Sequence, residues 1–152
     1  MNKMKSKIEI IPSLRIAFMR RIGPYGPENI KVMERLKKWA AEKKILQSAT
    51  IFAIPQDNPD ITSPENCRFD ACIVISDEYQ IMDESINERK LSGGKYVVYE
   101  IKHTAAHIAT AYTTIFPDLK AKGYQIENRP ILERYTGDMF SNPHCEICVP
   151  IK

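Results

Sequence analysis

The stretch KYVVYEIKHTAAHIATAYTTIFPDLKAKG (95–123) decides the fold, because it joins a strand-like segment to a helix-like one. Residues 95–102 predict a strand and residues 104–123 predict a helix. Thr104 is the expected N-cap and Gly123 the expected C-terminal stop, while Pro117 should kink this helix or begin a separate final turn. Two more strands are predicted after it, RPILERYT (129–136) and HCEICVPIK (144–152).

The first half of the chain has the same order of elements. A strand, a helix and two further strands are predicted at SLRIAFMRRIG (13–23), PENIKVMERLKKWAAEKKI (27–45), ATIFAIP (49–55) and RFDACIVIS (68–76). Ile16 and Phe18 match Tyr96 and Val98 at an offset of 80 residues, and 69–72 matches 145–148 at an offset of 76. The sequence therefore predicts an α+β fold of two β-α-β-β units, at about 8–76 and 86–152, with pseudo-twofold symmetry and a central ligand cleft.

Composition points to one globular domain spanning residues 1–152. The chain has 152 residues, 43% hydrophobic and 27% charged, which is near the average for globular proteins. Its 22 Lys and Arg residues nearly balance 19 Asp and Glu residues, so we expect no direct binding to nucleic acid. No apolar run is long enough to span a bilayer and the N-terminal residues lack a signal-peptide pattern, so a cytoplasmic protein without a membrane partner is expected.

One carboxylate stands out in the strand 129–136. Ile131, Glu133 and Tyr135 share one face of an extended chain, so Glu133 lies in an apolar and aromatic row. At the offset of 80, Glu133 matches Ala53 in the first half, so the repeated fold alone does not require an acid there. Two interpretations remain open from the residues themselves: a glutamate that lines a pocket, and a glutamate that is solvated on a mixed surface.

Metal and cofactor sites are not predicted. The four cysteines could suggest zinc, but Cys145 and Cys148, three apart, face opposite sides of a strand, as do Cys67 and Cys72, five apart. In a reducing compartment all four are expected to be thiols. His103 and His107 lack the glutamate and third ligand of a metalloprotease pattern.

The sequence resembles the GyrI-like family, the effector-binding domain of multidrug-responsive bacterial transcription regulators. The similar segments run in order over almost the whole chain: IGPY (22–25), DNPD (57–60), CRFDACIVI (67–75), GGKYVVYEIK (93–102), AYTTIFPDLKAKGY (111–124), PILERY (130–135) and EICVPIK (146–152). The resemblance implies SH2-like units that frame a cleft for cationic, aromatic or lipophilic compounds.

The resemblance also implies which residues contact the ligand. Glu133 would lie at the floor of the cleft, with Tyr135 beside it and Glu146 as a second acid. Tyr112 and Phe116, four apart on the second helix, share a face that would border the cleft; packing in the core is the alternative, as it is for Trp39. Tyr96 and Tyr25 complete the predicted set. Cys148 replaces an aromatic residue of many relatives, which leaves the aromatic wall less complete.

Two functions follow from the resemblance. The first is a stand-alone small-molecule-binding protein that senses or sequesters drugs or toxins, without a cofactor. A protein partner such as gyrase is known for some members, but nothing in this sequence identifies such a surface. The alternative is a hydrolase of strained, cyclopropane-bearing electrophiles, in which Glu133 is the general base and Tyr135 donates a hydrogen bond.

Overall fold

The computed structural model describes residues 5–47, 49–136 and 143–152, so positions 1–4, 48 and 137–142 of the expected domain lie outside the described residues. Eight strands and two α-helices form an α+β structure, as predicted. In chain order the elements are β1 (Lys5–Ile11), β2 (Leu14–Ile22), α1 (Glu28–Glu42), β3 (Ile51–Pro55), a 3-10 turn (Pro64–Asn66), β4 (Arg68–Val74), β5 (Asn87–Leu91), β6 (Gly94–Lys102), α2 (Ala105–Ala121), β7 (Leu132–Tyr135) and β8 (His144–Pro150).

All eight strands belong to one antiparallel sheet with the order β1-β6-β8-β7-β3-β4-β2-β5. The six predicted strands are present, and the strand predicted at 129–136 is shorter, at Leu132–Tyr135. The two outermost strands, β1 and β5, were not predicted. The counterpart strands are β1 and β5, β2 and β6, β3 and β7, and β4 and β8. When each strand is replaced by its counterpart, the reversed sheet order is the same as the original order. This order agrees with the predicted β-α-β-β duplication, although a superposition of the two halves stays a prediction.

Both helices cover the same face of the sheet, here called the helix face. Ala53, Glu133 and Ile147 are neighbours across β3, β7 and β8, so their side chains share this face. Ala53 belongs to a buried cluster with Leu36 and Trp39 of α1, and Ile147 belongs to a separate cluster with Ile115 of α2. The central strands β7 and β3 therefore lie between the two helix-covered clusters.

The second face of the sheet is also buried. Its cluster includes Ile16, Phe52, Tyr96, Leu132 and Cys148, all at most 2% exposed. Within the described residues no helix packs on these side chains, so their burial indicates that the sheet curls around them.

The second helix begins as predicted and continues through its proline. Thr104 is the N-cap and its hydroxyl accepts a hydrogen bond from the backbone N–H of His107. Pro117 lies inside α2 and does not begin a separate final turn, so the kink is the alternative that stays a prediction. Gly123 follows the helix with φ of +78°, a conformation that favours glycine. No helix of the described residues is long and apolar enough to cross a membrane.

Candidate functional site

The candidate site is the floor of the helix face around Glu133. The register places Ala71, Ala53, Glu133 and Ile147 side by side on four adjacent strands. Glu133 is partly exposed, whereas the two alanines are buried beside it. The side chains of Ala71 and Ala53 are methyl groups, so the Glu133 side chain is the largest of the three in the β4–β3–β7 part of this row.

Glu133 has no charged partner of opposite sign among the residues that the structure describes. No Lys, Arg or His of the described residues forms an ion pair with its carboxylate. Burial raises the pKa of Glu133 from 4.5 to about 7, while the nearby Tyr112 hydroxyl lowers this pKa. The ionised carboxylate is therefore poorly solvated and has no ion-pair partner among the described residues. The unpaired charge destabilises the folded protein unless a cation binds beside it.

Tyr112 of α2 interacts with the Glu133 carboxyl group. Its pKa is raised by burial and, after that, by the charge of Glu133. The Tyr112 hydroxyl is buried and makes no hydrogen bond of normal geometry to any described residue. The hydroxyl therefore interacts with the Glu133 carboxylate without forming a hydrogen bond of normal geometry. Phe116 lies one turn further along the same side of α2 and is 38% exposed.

Tyr135 connects the two halves of the helix face. It packs against both the α1-side and the α2-side clusters, two residues from Glu133 on the same face of β7. The ring of His103 lies against it, with 4.8 Å between ring centroids and an interplanar angle of 42°. Burial and the charge of Glu133 raise the pKa of the Tyr135 phenol, so the phenol stays protonated as a possible donor.

Trp39 and Tyr25 have mainly structural contacts. Trp39 is 6% exposed in the α1-side cluster and meets Tyr79 edge to face, with 6.4 Å between centroids. The Tyr25 hydroxyl donates to the Arg68 carbonyl oxygen at 2.6 Å and accepts from the Asp57 backbone N–H at 3.1 Å. The polar group of Tyr25 is therefore used to hold the loops beside β4.

Glu146 and Tyr96 lie outside the cleft, which corrects two predicted contacts. Glu146 pairs in register with Arg134 and faces the second side of the sheet, where Arg134 donates to it at 2.9 Å. Arg134 also donates to Glu9 at 2.7 and 2.9 Å. Tyr96 belongs to the second-face cluster, and its hydroxyl accepts a hydrogen bond from Arg129 at 3.0 Å. Both side chains are thus on the opposite face from Glu133.

Sequence reasoning missed His103 and the two small residues of the floor. Ala53 was recognised as the counterpart of Glu133, but the pairing that makes it a direct neighbour depends on contacts between the halves. His103 was placed before the helix cap, yet its contact with Tyr135 depends on how β6 leads into α2. No signal in the sequence alone gives either contact.

The described residues contain no group of three or more His, Cys, Asp or Glu side chains arranged to hold a metal ion. Cys145 lies in the α2-side cluster and Cys148 in the second-face cluster, as strand alternation predicts for residues three apart. Burial, followed by the charge of Glu133, raises the pKa of Cys145 to about 12, so its thiol is not activated.

Comparison with known proteins extends over nearly the whole chain. Residues 4–152 match the family model for the GyrI-like small molecule binding domain. The SPbeta prophage-derived protein YosT of Bacillus subtilis, whose name provisionally calls it a transcriptional regulator, is 38% identical over 150 residues, covering 98% of this chain and 100% of YosT. A DNA gyrase inhibitor of Salmonella typhimurium is 24% identical over 136 residues, covering 88% of this chain and 87% of that protein.

Solved structures with the same fold include the following two proteins. The EcmrR C-terminal domain superposes with a TM-score of 0.74 at 15% identity, covering 98% of each chain. SAV2435, solved bound to tetraphenylphosphonium, superposes with a TM-score of 0.61 at 14% identity, covering 98% of this chain and 94% of SAV2435. At these identities the likeness concerns the fold, whereas the family model and the 38% identical relative establish descent, and the chain belongs to the GyrI-like family of small-molecule-binding domains.

Proposed function

We propose that this protein binds lipophilic, aromatic monocations on the helix face between α1 and α2, and thereby senses or sequesters drugs or toxins of this class. The observation that supports this function is the uncompensated carboxylate of Glu133 on an otherwise apolar floor. A guest that brings one positive charge supplies the missing partner. A large apolar surface on the guest also favours binding, because contact with the apolar floor removes both surfaces from water.

The chemistry favours a delocalised cation over a compact one. A compact ammonium is strongly hydrated and loses that hydration on binding, whereas a lipophilic cation has little hydration to lose. The ring of Tyr135 and the exposed edge of Phe116 offer aromatic surface, and cation–π contact contributes about 0.5–2 kcal/mol. The solved complex of SAV2435 with tetraphenylphosphonium supports this ligand class.

The test is a calorimetric titration with tetraphenylphosphonium at about pH 8, where Glu133 is ionised. Replacing Glu133 with glutamine removes the charge and keeps the shape, so the dissociation constant should rise by about tenfold or more. Glu146→Gln is the matched control, because Glu146 faces the other side of the sheet, and this variant should keep the affinity of the unmodified protein. Equal affinities for the unmodified protein and Glu133→Gln would contradict the proposal.

A second candidate function is hydrolysis of a strained electrophile at the same place. The pKa of about 7 suits Glu133 as a general base near neutral pH. A bound water would lose a proton to the Glu133 carboxylate as its oxygen bonds to a cyclopropane carbon. The ring C–C bond would break, and its electron pair would move to the electron-withdrawing group on the ring. That group would accept a hydrogen bond from Tyr112 or Tyr135 and then a proton.

Turnover separates this second function from simple binding. Purified protein is incubated with a cyclopropane-bearing electrophile, and the ring-opened product is followed by mass spectrometry. Product that forms catalytically and is lost in Glu133→Gln would support hydrolysis. Stoichiometric binding without product would leave binding as the function, and product formation that does not depend on Glu133 would contradict this mechanism.

The charge distribution also favours a small-molecule ligand over DNA. The formal net charge is only +3, and Arg15, Arg20, Arg68 and Arg134 form ion pairs with carboxylates of the chain itself. Phosphate binding needs uncommitted cations in number. We expect no shift of a DNA fragment by this protein in a gel at low salt.

A further inference from the structure

The outer edge of β1 is unpaired within the described residues and exposes two isoleucines on the helix side of the sheet. β1 is the first strand in the sheet order and pairs only with β6. On its helix side, Ile8 is 48% exposed and Ile10 is 68% exposed. An exposed edge strand presents free backbone N–H and C=O groups, and apolar side chains beside them make it a template for another strand.

The opposite edge of the same sheet shows that the fold does not require isoleucine there. Ile8 of β1 pairs with Val97, and Glu88 of β5 pairs with Ala17. At the offset of 80 residues Ile8 corresponds to Glu88, and Ala17 corresponds to Val97. By the same offset Ile10 corresponds to Lys90. Charged side chains at Glu88 and Lys90 discourage edge pairing at β5. At β1 the two equivalent positions are apolar.

We propose that β1 pairs antiparallel with β1 of a second copy of this chain, about a twofold axis that passes through Ile8. This axis places Ile8 opposite Ile8 of the second copy and Ser6 opposite its Ile10. Lys7 then lies opposite Glu9 of the second copy, and Glu9 opposite its Lys7, so two ion pairs cross the interface. All seven residues of β1, from Lys5 to Ile11, find a partner in this register.

Other registers are disfavoured by like charges or by the small number of residues that pair. A twofold axis normal to the sheet keeps the two faces separate, so it must pass through a residue and not between two residues. An axis at Lys7 would place two lysines directly opposite each other, and an axis at Glu9 would do the same with two glutamates. An axis at Ser6 would place Lys5 opposite Lys7, and an axis at Ile10 would pair only residues 9–11 of β1. The equivalent pairing of β5 about Glu88 would oppose two carboxylates. The side chains of β1 are therefore self-complementary in one register.

Lys7 is largely exposed, and Glu9 keeps part of its side chain exposed beside its ion pair with Arg134. The Lys7 side chain is 62% exposed and its Nζ lies 3.6 Å from Glu9 of the same strand. Glu9 is held by Arg134, which fixes its position at the second face. β1 is separated from β7 by β6 and β8 in the sheet order. The proposed interface thus leaves Glu133 accessible in both copies.

The first test is sedimentation equilibrium over a range of protein concentrations. The unmodified protein should associate reversibly to a dimer, and Ile8→Lys should raise the dimer dissociation constant by about tenfold or more, because it places two lysines at the axis. Ile30→Lys is the matched control: Ile30 lies on α1, is 61% exposed, and its replacement should leave dimerisation unchanged. A monomer at every concentration, or a dimer insensitive to Ile8→Lys, would overturn the proposal.

The second test measures the register. The four native cysteines are buried, so an added exposed cysteine is the reactive thiol. With a short bismaleimide, Ile8→Cys should cross-link to itself efficiently. Ser6→Cys should cross-link efficiently only when mixed with Ile10→Cys, and Ile30→Cys should give no cross-linked product. Efficient self-linking of Ser6→Cys, or none for Ile8→Cys, would refute the axis at Ile8.

Discussion

Replacing Glu133 with glutamine should stabilise the empty protein at alkaline pH and have little effect in mild acid. Burial raises the pKa of Glu133 from 4.5 to about 7, so the folded state binds this proton more tightly than the unfolded state does. The stability that the protonated group contributes is present in full below pH 4.5 and is lost as the pH rises through 7. Glutamine resembles the protonated form at every pH.

The magnitude follows from the size of the pKa change. A tenfold change in a proton-binding constant corresponds to about 1.4 kcal/mol, so ionised Glu133 costs about 3 kcal/mol of unfolding free energy at about pH 8. Near pH 5 the difference between the two proteins falls to about 1 kcal/mol or less. For a chain of this length, 3 kcal/mol at the melting temperature corresponds to an increase of about 6–12 °C.

The assay is urea unfolding of both proteins at the two pH values, with thermal melts in parallel. Glu100→Gln is the control, since Glu100 is an exposed glutamate of β6, and its replacement should not give a stability gain that grows with pH. If Glu133→Gln changed stability equally at both pH values, or destabilised the protein at the higher pH, the inferred cost of the buried charge would be wrong.

Two further predictions concern the neighbours of this site and the second face. Tyr112→Phe removes the hydroxyl that lowers the pKa of Glu133, so less of Glu133 is ionised at about pH 7. Tetraphenylphosphonium affinity should therefore fall several-fold at about pH 7 and less at about pH 9. An equal loss at both pH values in calorimetry would contradict this role of Tyr112. Asp70→Asn leaves Arg20 and Arg89 without their buried carboxylate and should cost about 2–4 kcal/mol in urea unfolding, below the full cost of a buried pair because the arginine side chains are 33% and 30% exposed. Ligand affinity should not change in Asp70→Asn, since Asp70 faces away from Glu133, and a large loss would show that the two faces are coupled.

Strand and helix periods predict most of this fold from the sequence. The six predicted strands and both helices lie where the patterns place them, with ends shifted by a few residues. β1 and β5 were not predicted because KSKIEII and NERKL contain several charged residues. Each of these strands belongs to the sheet through pairing with a strand of the other half. Such long-range pairing is decided by tertiary contacts and is not visible in local propensity.

The site could be predicted within one strand but not between strands. Alternation along β7 correctly puts Glu133 and Tyr135 on one face. Placing Glu146 beside them needed the register of β7 against β8, where Glu146 pairs with Arg134 and turns away. Tyr96 fails for the same reason, because its face depends on the pairing of β6 with β8. A shift of one residue in register moves a side chain to the other face.

The most direct test of the cationic site at Glu133 is the number of protons released when tetraphenylphosphonium binds. The same titration is repeated at about pH 6 in buffers with different ionisation enthalpies, and the slope of the observed enthalpy gives the proton count. Because the pKa of Glu133 is about 7 in the empty protein and a bound cation requires the ionised form, each binding event should release about 0.9 proton, and Glu133→Gln should release none. Binding that releases no proton from the unmodified protein, or equal release from Glu133→Gln, would contradict a site built on this carboxylate.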